Sequence, residues 1–120
     1  MAKILLVEDS NTDLTFLQKT LQVLPHELIT AKDGEDAEAK VAAQKVDLIV
    51  LDVIMPKKNG FQVCRTLKKD PRFQHIPIII TTSKTAESDK FWGERQGADE
   101  YLTKPLAPAE LLATVKKYLK

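Results

Sequence analysis

Residues able to do chemistry stand at the ends of short apolar runs. Glu8 and Asp9 follow Ile4 to Val7, and Asp52 follows Leu48 to Leu51. Thr82 and Ser83 follow the run from Ile76 to Ile80, and Lys104-Pro105 follows Tyr101 to Thr103. If the runs are neighbouring strands, three carboxylates, a hydroxyl and an ammonium converge on one edge. Carboxylates placed together repel one another unless a cation joins them. Hard oxygen donors in a small, partly hydrated site suit Mg²⁺, whereas zinc would want a Cys or His cluster that the sequence lacks. A lysine beside such a cluster suits an anionic phosphoryl group, to which a threonine hydroxyl can also donate. Aspartate is itself a nucleophile in phosphoryl transfer. Any one carboxylate after a strand is more often a helix cap or a loop residue, so the chemistry rests on the set.

The elements that would position the set alternate along the chain. Ile4 to Val7, Leu48 to Leu51 and Ile76 to Ile80 are apolar without interruption by polar residues, the pattern of strands covered on both faces. Leu28 to Ala31 and Tyr101 to Thr103 are weaker strands. Between the runs lie helical stripes: Leu14, Leu17, Leu21 and Leu24 behind a Ser10 or Asn11 cap; Ala37, Val41 and Ala42; Phe61, Cys64 and Leu67. A fourth helix is predicted from about Glu87 to Gln96 with Gly97 as its C-cap. A fifth starts at Pro108 and carries Leu111, Leu112, Val115 and Leu119. Strict alternation implies an α/β domain: a doubly wound five-stranded parallel sheet flanked by five helices, one domain over residues 1–120. Ligands in such a sheet bind outside the carboxyl ends of the strands, where the winding direction switches. Periodicity does not itself give the strand order.

Composition narrows the partners. Eighteen Lys and Arg against 17 Asp and Glu leave a formal charge of +1, with no global grip on nucleic acid or an anionic membrane. The apolar runs are too short to span a bilayer, and Glu8-Asp9 cuts off the only stretch that resembles a signal peptide core. The expected location is the cytoplasm. The single cysteine, Cys64, excludes an intrachain disulfide and a CxxC motif and lies on an apolar helix stripe. His26 and His75 read as surface residues, and Lys57 and Lys58 as solvated loop residues. Asn59-Gly60 reads as a turn in which Gly60 supplies backbone freedom.

Taken together, Ile4-Leu5-Leu6-Val7-Glu8-Asp9, Leu51-Asp52-Val53-Ile54-Met55-Pro56 with Asn59-Gly60, Thr81-Thr82-Ser83 and Lys104-Pro105 closely resemble a two-component response regulator receiver domain of the stand-alone, CheY-like kind. The resemblance runs over essentially the whole chain. It implies the flavodoxin-like fold and a phosphorylation-dependent switch, not an enzyme acting on a separate substrate. It implies that Asp52 accepts phosphoryl from a histidine kinase, and that Glu8, Asp9 and Asp52 hold Mg²⁺ together with the Ile54 backbone carbonyl. Lys104 and Thr82 would contact the phosphoryl group, Thr82 and Tyr101 would form the switch pair, and the Lys104–Pro105 bond would be cis. A downstream protein would bind the surface of the fourth helix, fifth strand and fifth helix, which includes Trp92 and Tyr101, with the chain a monomer or a weak phosphorylation-dependent dimer. The segment Asp89 to Ala98 resembles regulators of type IV pilus motility or phototaxis.

Other readings fit less well. A phosphate-sink receiver would share every site residue. A phosphohydrolase of the haloacid dehalogenase type would carry a second Asp two residues after the nucleophile, where this chain has Ile54. A nucleotide or flavin carrier would want a Gly- or Ser/Thr-rich phosphate loop in place of Glu8-Asp9. A pseudo-receiver would have lost the acidic pair, the acceptor or the lysine, and all are present.

Overall fold

The uninterrupted apolar runs become the middle of the sheet. In the computed structural model, which describes residues 1–83 and 97–119, the strands are β1 (Lys3–Val7), β2 (Glu27–Ala31), β3 (Leu48–Asp52), β4 (Ile78–Thr82) and β5 (Glu100–Thr103). All pair in parallel, in the order β2-β1-β3-β4-β5. The chain winds outward from β1 to β2, then crosses back over β1 to β3 and continues to β5. The carboxyl ends of β1 and β3 therefore flank the switch in winding, where a crevice must open. β4 starts two residues after the start of the predicted run. Pro77 has no N–H to give the ladder, although its carbonyl accepts from Ile49 N–H at 3.0 Å.

Strand alternation divides the core in two. Leu5, Val7, Ile49, Leu51, Ile78 and Ile80 pack under α2 (Gly34–Ala43) and α3 (Gly60–Lys69). Ile4, Leu6, Leu48, Val50 and Ile79 pack under α1 (Asn11–Leu21) and the C-terminal helix, here α4 (Pro108–Tyr118). Burying each such Leu or Ile stabilises the fold by about 1.5–3 kcal/mol, so the two layers hold the sheet rigid beneath its loops. Helix starts follow local chemistry: the Ser10 and Asp33 side chains cap α1 and α2, Asn59 and Gln62 form a reciprocal box on α3, and Pro108 opens α4. On α2 the buried face is Gly34, Ala37 and Val41, while Ala42 is exposed, so the predicted stripe was one residue too wide.

The described residues thus carry five strands and four helices, against the five helices expected. The missing one, predicted over Glu87 to Gln96 and including Trp92, lies outside the described residues. Gly97, its expected C-cap, does adopt φ +90°, a backbone conformation that glycine tolerates best.

Candidate functional site

The register lines up the site. Val7 pairs with Leu51, so Glu8 comes level with Asp52 one step on, and Asp52 pairs with Thr81. Alternation turns Glu8 and Asp52 to the face covered by α1 and α4, below the loop that carries Asp9. Glu8 is 1% exposed and Asp52 6%, while Asp9 is exposed. One carboxylate oxygen from each lies within 4.8 Å of the others. Adjacent oxygens that share an Mg²⁺ ion stand about 3 Å apart. The side chains would have to draw closer to share one ion, and the all-oxygen donor set suits Mg²⁺.

Lys104 reaches in from just beyond β5 as the internal counter-charge. Its ammonium donates to Glu8 Oε2 at 2.8 Å and to Asp13 Oδ2 at 2.9 Å, and stands 3.2 Å from Asp52 Oδ1. Burial alone would lower the affinity of Lys104 for its proton. The hydrogen bonds to Asp13 and Glu8 and the charge on Asp52 outweigh burial and hold the lysine well above its ordinary range. The two buried acids move the other way. Burial pushes the Glu8 carboxyl up, against the Lys104 hydrogen bond and with help from the Asp52 charge. Burial likewise pushes Asp52 up, against the Lys104 charge, with Asp9 adding repulsion. Even with its lysine, the cluster is short of positive charge.

Thr82 is fully buried as the last residue of β4, paired with Thr103. Tyr101 pairs with Ile80 and packs on the α2–α3 side of the core, with its hydroxyl buried. It is a diagonal neighbour of Thr82 across the two strands. Ile54, two residues after Asp52 in the chain, is 56% exposed. The Lys104–Pro105 bond is cis.

Several sequence expectations are filled out or changed. Lys57 is an exposed and Lys58 a partly exposed loop residue, as expected, and both also form surface ion pairs: Lys57 stands 3.7 Å from Asp33 and 3.5 Å from Glu35, and Lys58 lies 3.1 Å from Glu38. They tie the loop after Asp52 to α2. Gly60 is required for space rather than for backbone freedom, because a Cβ there would lie 2.3 Å from the Asp52 carbonyl oxygen. The Cys64 thiol is buried, and burial pushes it up to about 12, as a core cysteine requires. Sequence reasoning missed two site residues. Asp13 reads in sequence as an acidic residue favouring the helix N-terminus, and only the packing of α1 against Lys104 shows its other use. Thr81, the register partner of Asp52, keeps a buried hydroxyl without a hydrogen-bond partner among the described residues. It borders a cavity of about 220 Å³ between α1 and the Lys104–Leu106 segment. The spacing of Thr81 from the apolar run was visible, but not which of two adjacent threonines pairs with Asp52 across the sheet.

The family model for the response regulator receiver domain matches residues 4–116. The protein PilH of Pseudomonas aeruginosa is 44% identical over 99% of this chain and 98% of its own. The structure of Vibrio cholerae chemotaxis protein CheY4 superposes with a TM-score of 0.91 at 35% identity, covering 99% of each chain. The receiver domain of the Pseudomonas aeruginosa sensor histidine kinase PA1611 superposes with a TM-score of 0.89 at 27% identity, over 98% of this chain and 96% of that one. That structure has a magnesium ion coordinated in its active site cleft. Among the described residues, no helix is long and apolar enough to cross a membrane.

Proposed function

The chain belongs to the response regulator receiver family, and from that premise we propose that it is a phosphorylation switch with Asp52 as the phosphoacceptor. The observation that carries the reading is the setting of Asp52: buried at the end of β3, 3.2 Å from a lysine and within 4.8 Å of two further carboxylates. An Asp52 carboxylate oxygen attacks the phosphorus of a kinase phosphohistidine. The new P–O bond forms as the P–N bond breaks, and the imidazole leaves with that electron pair and takes up a proton from solvent. Glu8, Asp9 and Asp52, with the Ile54 carbonyl, would hold Mg²⁺, which supplies charge neutralisation between carboxylate and phosphoryl oxygens. Lys104 neutralises further negative charge in the transition state and in the acyl phosphate. The sheet fixes the Asp52 backbone, while Glu8 and Asp13 hold the Lys104 ammonium beside its carboxylate.

Output runs through protein binding. The Tyr101 ring already packs on the core with its hydroxyl buried, and the Thr82 hydroxyl, drawn toward the phosphoryl group, leaves space beside it that favours this inward position. Such a pair needs states separated by only a few kcal/mol for phosphoryl contacts to shift their populations. The responding surface is that of β5 and α4, and a histidine kinase and a downstream protein are the partners.

The test is phosphorylation of the full chain by a small phosphodonor with Mg²⁺, followed by intact mass and peptide mapping. One base-labile acyl phosphate on Asp52 is expected, absent from Asp52→Asn. Label on a histidine or serine instead would overturn the assignment.

A further inference from the structure

An ammonium has three N–H donors, and Lys104 meets three carboxylates: Glu8, Asp13 and Asp52. A phosphoryl oxygen on Asp52 must claim one of those donors, so one partner has to give way. The three are not equivalent. Glu8 and Asp52 belong, with Asp9, to the group whose oxygens converge within 4.8 Å. Asp13 stands outside that group, on the first turn of α1. A divalent cation among the converging oxygens draws on the same lone pairs as the ammonium and repels it. Asp13 is the one carboxylate partner that such a cation does not claim.

Two features equip Asp13 for the part. Its backbone is fixed, since its N–H donates to the capping Ser10 Oγ at 3.2 Å, and its side chain is half-exposed, so a charge there costs little. The cavity of about 220 Å³ between α1 and Pro105-Leu106 adjoins Asp13 and Lys104 and leaves the ammonium room to shift. Its wall carries the buried Thr81 hydroxyl as well as Phe16 and Leu106, so the space is not wholly apolar.

We propose that Asp13 is a positioning residue for phosphoryl transfer: it takes the Lys104 ammonium over from Glu8 when a divalent cation binds, and keeps it beside Asp52. The proposal rests on the reading of Glu8, Asp9 and Asp52 as the cation site and of Asp52 as acceptor. Without Asp13, the ammonium falls back on Glu8 and Asp52 and competes with the cation for their oxygens. Loss of Asp13 therefore weakens cation binding and slows phosphoryl capture, in both cases through Lys104.

The experiment compares wild type, Asp13→Asn and Asp13→Glu, each with Lys104 intact and in a Lys104→Ala background. Mg²⁺ affinity is read by titration calorimetry, and formation of acyl phosphate from a small phosphodonor at saturating Mg²⁺ is read by intact mass. A thermal midpoint for each variant reports folding. With Lys104 present, Asp13→Asn is expected to weaken Mg²⁺ binding about fivefold, the scale of a partly exposed ion pair. Phosphorylation should slow by a similar factor, and Asp13→Glu should recover most of both. In the Lys104→Ala background the Asp13→Asn effect on Mg²⁺ should largely disappear, because coupled residues are non-additive. Equal weakening with and without Lys104 would show Asp13 acting as a plain negative charge, and no weakening with Lys104 present would show no action; either overturns the proposal. Failure of the underlying reading looks different: wild type itself would bind no Mg²⁺ or carry no phosphoryl on Asp52.

Discussion

Replacing Asp9 by asparagine should reverse sign with metal. Asp9 is exposed and makes no ion pair among the described residues, yet its carboxylate lies within 4.8 Å of Glu8 and Asp52. Unit charges at that separation repel by about 0.9 kcal/mol in water and about 3.5 kcal/mol at an effective dielectric of 20. Exposure puts Asp9 near the lower figure, and the Lys104 charge offsets part of it. Removing Asp9 from the metal-free protein should thus stabilise by about 1 kcal/mol, or about 4 °C in thermal midpoint for a domain of this size. Mg²⁺ works the other way. At tenfold excess over its dissociation constant the ion stabilises wild type by about 1.4 kcal/mol. Loss of one ligand that weakens binding about tenfold leaves the Asp9→Asn protein only about 0.4 kcal/mol at the same concentration. The variant's advantage should vanish near tenfold excess and invert near hundredfold. Urea or thermal melts in chelator and in stepwise Mg²⁺, at low ionic strength, would trace the crossing. A variant less stable than wild type in chelator, or two Mg²⁺ responses that stay parallel, would refute the electrostatic account of the cluster.

Two further outcomes follow from the same geometry. Burial raises both Glu8 and Asp52 above their ordinary values of 4.5 and 3.8, so between those values and the raised ones the folded chain binds more protons than the unfolded chain. Their contribution to metal-free stability is greatest below about pH 4 and is lost as pH rises through the raised values. Wild-type stability minus that of Glu8→Gln/Asp52→Asn, measured in chelator, should fall over that interval; a constant or rising difference would contradict the assignment. Gly60→Ala should destabilise by about 1–3 kcal/mol, the range for overpacking, since its Cβ would press on the Asp52 carbonyl; equilibrium unfolding with an unchanged midpoint would show that the loop yields freely.

Much of this protein was legible in its residues alone. Uninterrupted apolar runs name buried strands, because only a strand covered on both faces can dispense with alternation. Polar residues directly after those runs name the edge of the sheet where ligands bind, so Glu8, Asp9, Asp52, Thr82 and Lys104 could be collected without coordinates. Ser10, Asp33, Asn59 and Pro108 start helices by local hydrogen bonding or a fixed φ, which again needs no tertiary context. Strand order was different: helical and strand periods carry no information about which strand lies beside which. Only the packed sheet sets β1 next to β3 and so brings Glu8 level with Asp52. Side-chain partners across the fold were equally hidden. Lys57 and Lys58 find acids on α2, Gly60 yields space to a carbonyl from β3, and Asp13 meets a lysine 91 positions away. Each depends on the distance between separate elements, a quantity that local sequence pattern does not encode and that packing alone decides.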